Sequence, residues 1–120
     1  MDYKLGMVES RFADIVWNHE PLSTSELVKL CANELNWKRT TTYTVLKKLG
    51  EHGLFRLENG IVTALVSRDD YYASKSEQFV AEAFNGSLPA FIASFARKKA
   101  LSREEIAEIK QMIDAYGEVQ

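Results

Sequence analysis

A pair of short apolar strands joined by Asn59-Gly60 constrains the fold of this chain more than any other feature. The runs Leu54–Leu57 and Ile61–Val66 flank a dipeptide that suits the type I′ turn of a two-residue hairpin loop. Such a loop pairs the residues on either side of it, and a slip of one residue would mix apolar and polar side chains on each face. The pattern therefore predicts a hairpin in this register. Its apolar face contains Phe55, Leu57, Val62, Ala64 and Val66.

Three amphipathic helices are predicted before the hairpin. Apolar residues recur at helical spacing over residues 5–18. Ser23 and Glu26 form a capping-box pair at the start of a second helix, which ends near position 36. The third helix runs from Thr40 to about His52, and Gly53 stands where a left-handed C-terminal cap is expected. Three helices followed by a hairpin indicate a winged helix-turn-helix.

Helical patterns continue after the hairpin. One helix is predicted over residues 67–85, Ser87 opens a short second helix, and Ser102 caps the last helix. The predicted fold is therefore mostly α with a small β-hairpin. It consists of a winged helix-turn-helix DNA-binding domain over residues 1–68 and a C-terminal helical dimerisation region over residues 69–120.

The last three helices carry narrow apolar stripes with too few partners inside one subunit. Pairing with a second copy of the chain is the economical way to cover these stripes, which predicts a homodimer. The stripe of the final helix has an alternative, which is to pack within its own subunit. The aromatic residues favour an interface core over a ligand pocket. The predicted dimerisation residues are Tyr72, Phe79, Phe84, Phe91, Phe95, Ile106, Ile109, Ile113 and Tyr116.

The third helix presents a polar face that is suited to DNA. With its apolar residues turned to the core, Thr40, Thr44 and Lys47 lie on the opposite side. Short hydroxyl and methyl groups approach base edges, and cations neutralise phosphate. A threonine run is also typical of a helix cap and a lysine pair of a solvated face, but their place just before a hairpin favours DNA binding. The predicted DNA-binding residues are Lys38, Arg39, Thr40, Thr41, Tyr43, Thr44, Lys47, Lys48, Arg56 and Asn59.

The charge of the chain is divided between two regions. The formal net charge is −2, which alone argues against a nucleic-acid binder. Basic side chains nevertheless outnumber acidic ones between Trp37 and Leu57, whereas acidic side chains predominate after Leu101. A basic middle and an acidic end indicate one surface directed at polyanions and another with a different role.

Several other classes of protein are disfavoured by the residues. No apolar run reaches the length of a membrane span and no secretory signal is recognised, so we expect a cytoplasmic protein without membrane insertion. The motifs of serine hydrolases, zinc proteases, P-loop enzymes and dinucleotide enzymes are missing, so we expect no enzyme and no catalytic residues. His19, Cys31 and His52 are isolated in the sequence, so we expect neither a metal site nor a cofactor.

With these residues in view, the chain resembles the penicillinase-repressor (BlaI/MecI/CopY) family of winged-helix repressors. The resemblance extends over nearly the whole length. The block Ser94-Phe95-Ala96 and the acidic final helix narrow the choice among winged-helix families. The other matching segments are Ile15-Val16-Trp17, Ser25-Glu26-Leu27, the stretch Trp37–Leu49, Gly53-Leu54 and Phe84-Asn85-Gly86-Ser87.

The resemblance implies a dimer held by the C-terminal helices, in which each winged helix reads half of a palindromic operator. In β-lactam-responsive members a protease inactivates the repressor by cutting an Asn-Phe bond in the dimerisation region. The aligned bond here is Ser94-Phe95, with serine in place of the usual asparagine. Copper-responsive members end in a cysteine-pair metal site, and the tail from Leu101 to Gln120 has no cysteine.

The sequence thus predicts a homodimeric transcriptional repressor that binds double-stranded DNA at a palindromic operator. Occupancy near a promoter would exclude polymerase, and disruption or cleavage of the dimerisation region would release the DNA. The alternative from another functional class is a winged-helix adaptor that binds proteins and not DNA. Such an adaptor needs no cationic face on its third helix.

Overall fold

The computed structural model describes residues 3–117. Its contacts divide the chain into two compact units, Met1–Ser76 and Glu77–Gln120, and the fourth helix contributes residues to both. The division predicted between residues 68 and 69 stays a prediction. In chain order the elements are α1 (Met7–His19), β1 (Leu22–Ser23), α2 (Thr24–Leu35), α3 (Arg39–Glu51), β2 (Phe55–Glu58), β3 (Ile61–Ala64), α4 (Arg68–Phe84), α5 (Leu88–Lys98) and α6 (Arg103–Tyr116).

The predicted helix starts are confirmed by their capping hydrogen bonds. The Ser23 hydroxyl accepts the Glu26 amide at 3.1 Å, and the Glu26 carboxylate accepts the Ser23 amide at 3.3 Å. Ser102 caps α6 with the same reciprocal bonds, and the Ser87 hydroxyl accepts an amide in the first turn of α5. Each cap satisfies backbone donors that a helix leaves unpaired at its N-terminus.

The hairpin has the predicted turn and register. Both loop residues have positive φ, 53° at Asn59 and 75° at Gly60, as a type I′ turn requires. Glu58 is paired with Ile61, so the strands meet directly across the two-residue loop. Leu57 is paired with Val62 as predicted, so it shares the apolar face, but it is 49% exposed because it lies close to the turn, past the core residue Phe55.

A third strand was not predicted. Leu22 and Ser23 pair antiparallel with Val62 and Ile61, so the sheet has the order β1-β3-β2. The Glu20 carboxylate accepts the amide of Ala64 at 2.8 Å, which extends the pairing beyond the strand. Two residues are too few to show a strand periodicity. This third strand holds the hairpin against the segment that precedes α2.

The core of the first unit lies between α1, α2, α3 and the sheet. Tyr71, at the start of α4, is 1% exposed and belongs to this core, although the sequence did not single it out. Its hydroxyl accepts the Leu5 amide at 3.0 Å and donates to the Tyr3 carbonyl at 2.8 Å. The other fully buried large side chains include Phe12, Val16, Leu27, Leu49, Leu54, Phe55 and Val62.

The second unit has no buried residue in either α5 or α6 as far as the structure describes them. The rings of Phe79, Phe84 and Phe91 pack edge to face, with centroids 5.7–6.0 Å apart. Within residues 3–117 no single helix is long and apolar enough to cross a bilayer. The consecutive helices α4 and α5 reach that length and composition only together, and they bend by 85° at the break between them.

Candidate nucleic-acid interface

The α3 helix is oriented as its apolar pattern predicts. Leu46 and Leu49 are buried in the core, and so is Thr42, which is 1% exposed. Thr40 and Thr44 lie on the opposite side of the helix and are exposed, as is Lys47. Since α3 buries one face and leaves the other uncovered within its own unit, its polar face is open to a partner.

The first turn of α3 combines hydroxyl groups with free helix amides. Lys38 is the N-cap residue, and within residues 3–117 no side chain caps this helix end. The Thr44 hydroxyl donates to the Thr40 carbonyl at 2.8 Å, which leaves its lone pairs to accept. The Arg39 guanidinium lies 5.4 Å from the Tyr43 ring centroid. This end of the helix can therefore accept hydrogen bonds, and its amides and positive dipole end favour an anion.

Two of the predicted phosphate contacts are held in ion pairs inside the chain. The Lys48 ammonium lies 2.9 Å from the Glu9 carboxylate, and the Arg56 guanidinium lies 2.8 Å from the Glu58 carboxylate. Lys47 has no such carboxylate partner in the described part of the chain. Lys48 and Arg56 must therefore break an ion pair before they can bind a phosphate, whereas Lys47 need not.

The pair between Glu9 and Lys48 belongs to a larger cluster at the N-terminal segment. The Tyr3 hydroxyl donates to Glu9 at 2.6 Å, and the Gly6 amide donates to the same oxygen at 3.0 Å. Burial alone would raise the pKa of Glu9, but these hydrogen bonds and the Lys48 ammonium lower it to about 2. Tyr3 also stacks on His52, with ring centroids 3.9 Å apart. Lys48 is therefore fixed beside α1 and not along the exposed face of α3.

The hairpin carries the other two predicted DNA-binding residues. Arg56 and Asn59 are both exposed, and Asn59 lies in the turn. The ion pair between Arg56 and Glu58 was not predicted, although their spacing of two residues places both side chains on one strand face. The sequence offered no comparable signal for Glu9, because the contact with Lys48 joins residues that are distant along the chain.

The predicted dimerisation residues fall into two groups. Tyr72 packs within the first unit, with its ring centroid 6.1 Å from that of Trp17 and 4.8 Å from the Arg68 guanidinium. The Ser94-Phe95 bond lies inside α5, and Phe95 is 47% exposed. The others lie in the second unit at partial or high exposure: Phe79, Phe84, Phe91, Phe95, Ile106, Ile109, Ile113 and Tyr116.

Among the described residues, no three side chains of His, Cys, Asp or Glu come together as metal ligands would. Cys31 is buried, and burial raises the pKa of its thiol to about 11. The thiol therefore stays protonated near neutral pH.

Comparison with known proteins places the chain in a family. A family model described as Penicillinase repressor matches residues 5–115. The chain belongs to the penicillinase repressor family. This confirms the resemblance noted in the sequence and the winged-helix fold that it implied. The family is one of regulatory repressors and not of enzymes.

Individual members of the penicillinase repressor family match along most of the chain. The Penicillinase repressor of Bacillus licheniformis is 28% identical over 106 residues, which cover 85% of this chain and 83% of that protein. The Methicillin resistance regulatory protein MecI of Staphylococcus aureus is 22% identical over 116 residues, covering 93% and 94%. The protein of the same name from Mammaliicoccus sciuri matches at the same identity and coverage.

Proposed function

We propose that this protein is a homodimeric transcriptional repressor that binds a palindromic DNA operator through α3. The observation that carries this proposal is the exposed face of Thr40, Thr44 and Lys47 on a helix whose opposite face is buried. In a winged helix-turn-helix this helix enters the major groove, where hydroxyl and methyl groups reach base edges. The names of the relatives as repressor and regulatory protein support the same function.

Phosphate contacts in this proposal come from both ends of α3 and from the hairpin. Near the start of α3, the DNA phosphates are contacted by Lys38, Arg39 and the uncapped backbone amides of the first helical turn. Lys47 contacts a phosphate from further along α3, and Arg56 and Asn59 reach DNA from the wing. Concentrating cations on this surface lets the protein bind DNA although its net charge is −2.

The homodimer is proposed from the second unit. The described parts of α5 and α6 bury no side chain, and large apolar residues such as Phe95 and Ile113 are 47% and 56% exposed. A second copy would cover these faces and add the core that a short chain lacks. Two copies then read two half-sites, and splitting the dimer or cutting Ser94-Phe95 would release the operator.

The proposal is tested by selecting bound sequences from a random DNA pool with the purified full chain. We expect a palindromic consensus with half-sites about one helical turn apart, or a multiple of it. Sedimentation at micromolar concentration should give a dimer. A pool that shows no enrichment, with a well-folded protein, would refute DNA recognition and favour the adaptor.

A matched pair of variants then tests the docking of α3. Lys47→Ala should weaken operator binding and reduce the slope of log affinity against log salt by about one. Lys110→Ala removes the same charge from the exposed surface of α6 and should leave both quantities unchanged when sedimentation shows that the variant keeps the wild-type oligomeric state. Equal effects from the two variants would mean that Lys47 acts only through the net charge of the protein.

A further inference from the structure

A cavity of about 380 Å³ lies between α3 and the hairpin. It is the space left where the C-terminal half of α3 passes the strand β2. Its volume falls in the range of sites for small organic molecules. The residues that line it are Tyr43, Leu46, Lys47, Gly50, Phe55 and Leu57.

The lining has an apolar body and a cationic edge. Leu57, which is 49% exposed, and the half-buried ring of Tyr43 supply the accessible apolar surface, whereas Leu46 and Phe55, 4% and 1% exposed, form the floor of the cavity as part of the core. Lys47 is the charged residue of the lining, and Tyr43 adds a hydroxyl. Such a surface complements a flat apolar group that carries one negative charge.

The charge of Lys47 is available for this role. Lys48 and Arg56, its neighbours in the proposed interface, are each paired with a carboxylate at 2.9 Å and 2.8 Å. No carboxylate of residues 3–117 pairs with Lys47. An anionic ligand in the cavity would therefore pair with Lys47 without displacing a carboxylate. An ion pair with Lys48 or Arg56 would first have to break an existing one.

We propose that this cavity binds a small aromatic carboxylate. The ring lies against Leu57 and Tyr43, over the buried floor of the cavity, and the carboxylate pairs with the Lys47 ammonium. The consequence for regulation rests on the proposed function: because Lys47 is also assigned to a DNA phosphate, the ligand and the operator compete. Binding of the carboxylate itself does not depend on DNA recognition.

Gly50 provides the means to close the cavity. A Cβ atom added at Gly50 would lie 3.5 Å from the Phe55 carbonyl oxygen, which is an ordinary contact distance. Its backbone is helical, so alanine is accommodated at this position. Gly50→Ala should narrow the cavity, and Gly50→Leu should fill it from the α3 side.

The experiment is a titration of the full-length ¹⁵N-labelled protein with 2-naphthoate, followed by NMR, in the absence of DNA. We expect saturable shifts at the amides of Lys47, Gly50 and Leu57. The neutral 2-naphthamide and the variant Lys47→Gln should each bind about tenfold more weakly, since a charged hydrogen bond is lost. Gly50→Ala should weaken binding less than Gly50→Leu, which should abolish it. Lys110→Gln is the matched control and should bind as the wild type does.

Two results would overturn the proposal. One is a set of chemical-shift changes scattered over the surface. The other is equal binding of naphthoate and naphthamide by all variants that keep the wild-type circular dichroism spectrum.

A second experiment tests competition with DNA. Naphthoate should raise the apparent Kd for a selected operator in fluorescence anisotropy, and this rise should disappear in Gly50→Leu. A protein that binds naphthoate in the cavity but binds no DNA would retain the cavity assignment and refute the repressor function. DNA binding with no naphthoate binding would do the reverse.

Discussion

Replacing Glu9 by glutamine should reduce the stability of the protein at neutral pH and change how stability depends on pH. The Glu9 carboxylate accepts hydrogen bonds from Tyr3 and Gly6 and pairs with Lys48, and its side chain is 19% exposed. Together these contacts lower its pKa from 4.5 to about 2. The difference corresponds to at most about 3 kcal/mol of free energy of unfolding at neutral pH.

The sign of the pH dependence follows from the direction of this change. A carboxyl group with a lower pKa in the folded protein stabilises it fully above pH 4.5, and this stabilisation is lost as the pH falls towards 2. About 2 kcal/mol of the contribution should already be lost at pH 3. The gap between wild type and Glu9→Gln should therefore be widest at pH 7 and should close in acid.

The measurement is urea unfolding of both proteins at several pH values between 7 and 2.5, followed by circular dichroism. Tyr3→Phe removes one donor to the carboxylate, so the gap between this variant and its double variant with Glu9→Gln should be smaller. A gap that stays constant across the pH range would show that Glu9 acts through packing or helix capping and not through its charge. That result would refute the electrostatic reasoning.

Three other perturbations test separate features of the fold and the interface. Gly53→Ala should destabilise the protein by about 1 kcal/mol, because φ is +82° there, and a urea titration would measure this; an unchanged midpoint would contradict the cap at the end of α3. The Cys31 thiol, with its pKa raised to about 11 by burial, should react with a thiol reagent at pH 8 only as fast as the protein opens; reaction at the rate of a free thiol would contradict its burial. Glu58→Gln should free the Arg56 guanidinium and tighten operator binding by about two- to fivefold at low salt, as fluorescence anisotropy would show; weaker binding would mean that Glu58 positions Arg56 for its phosphate.

Local sequence signals predicted the elements whose geometry is set by neighbouring residues. The register of the hairpin follows from Asn59-Gly60, because the positive φ angles of this dipeptide admit few other turns. The caps at Ser23 and Ser102 follow from a hydroxyl placed three residues before a glutamate. In each case the partners are at most a few residues apart, so the sequence contains the whole interaction.

Interactions between distant segments could not be predicted in the same way. The strand β1 consists of two residues, Leu22 and Ser23, and only their pairing with β3 makes them a strand. In the sequence Lys48 is indistinguishable from an unpaired exposed cation, because its partner Glu9 lies far away along the chain and meets it only in the folded protein. The exposed face of α3 was predicted because helical periodicity alone divides it from the core. Whether that face meets DNA stays a prediction.

The hydroxyl of Tyr71 joins the first described residues to a helix that starts more than sixty residues later. One oxygen serves two bonds, to the Leu5 amide and the Tyr3 carbonyl, across sequence separations of 66 and 68 residues. Fraying of the segment before α1 therefore breaks both hydrogen bonds of the buried Tyr71 hydroxyl at the same time. The rate of hydrogen exchange at the Leu5 amide would therefore report how stably the start of α4 is held in the first unit. An extension fused ahead of Tyr3 that disturbs this segment should weaken the hydrogen bonds of Tyr71.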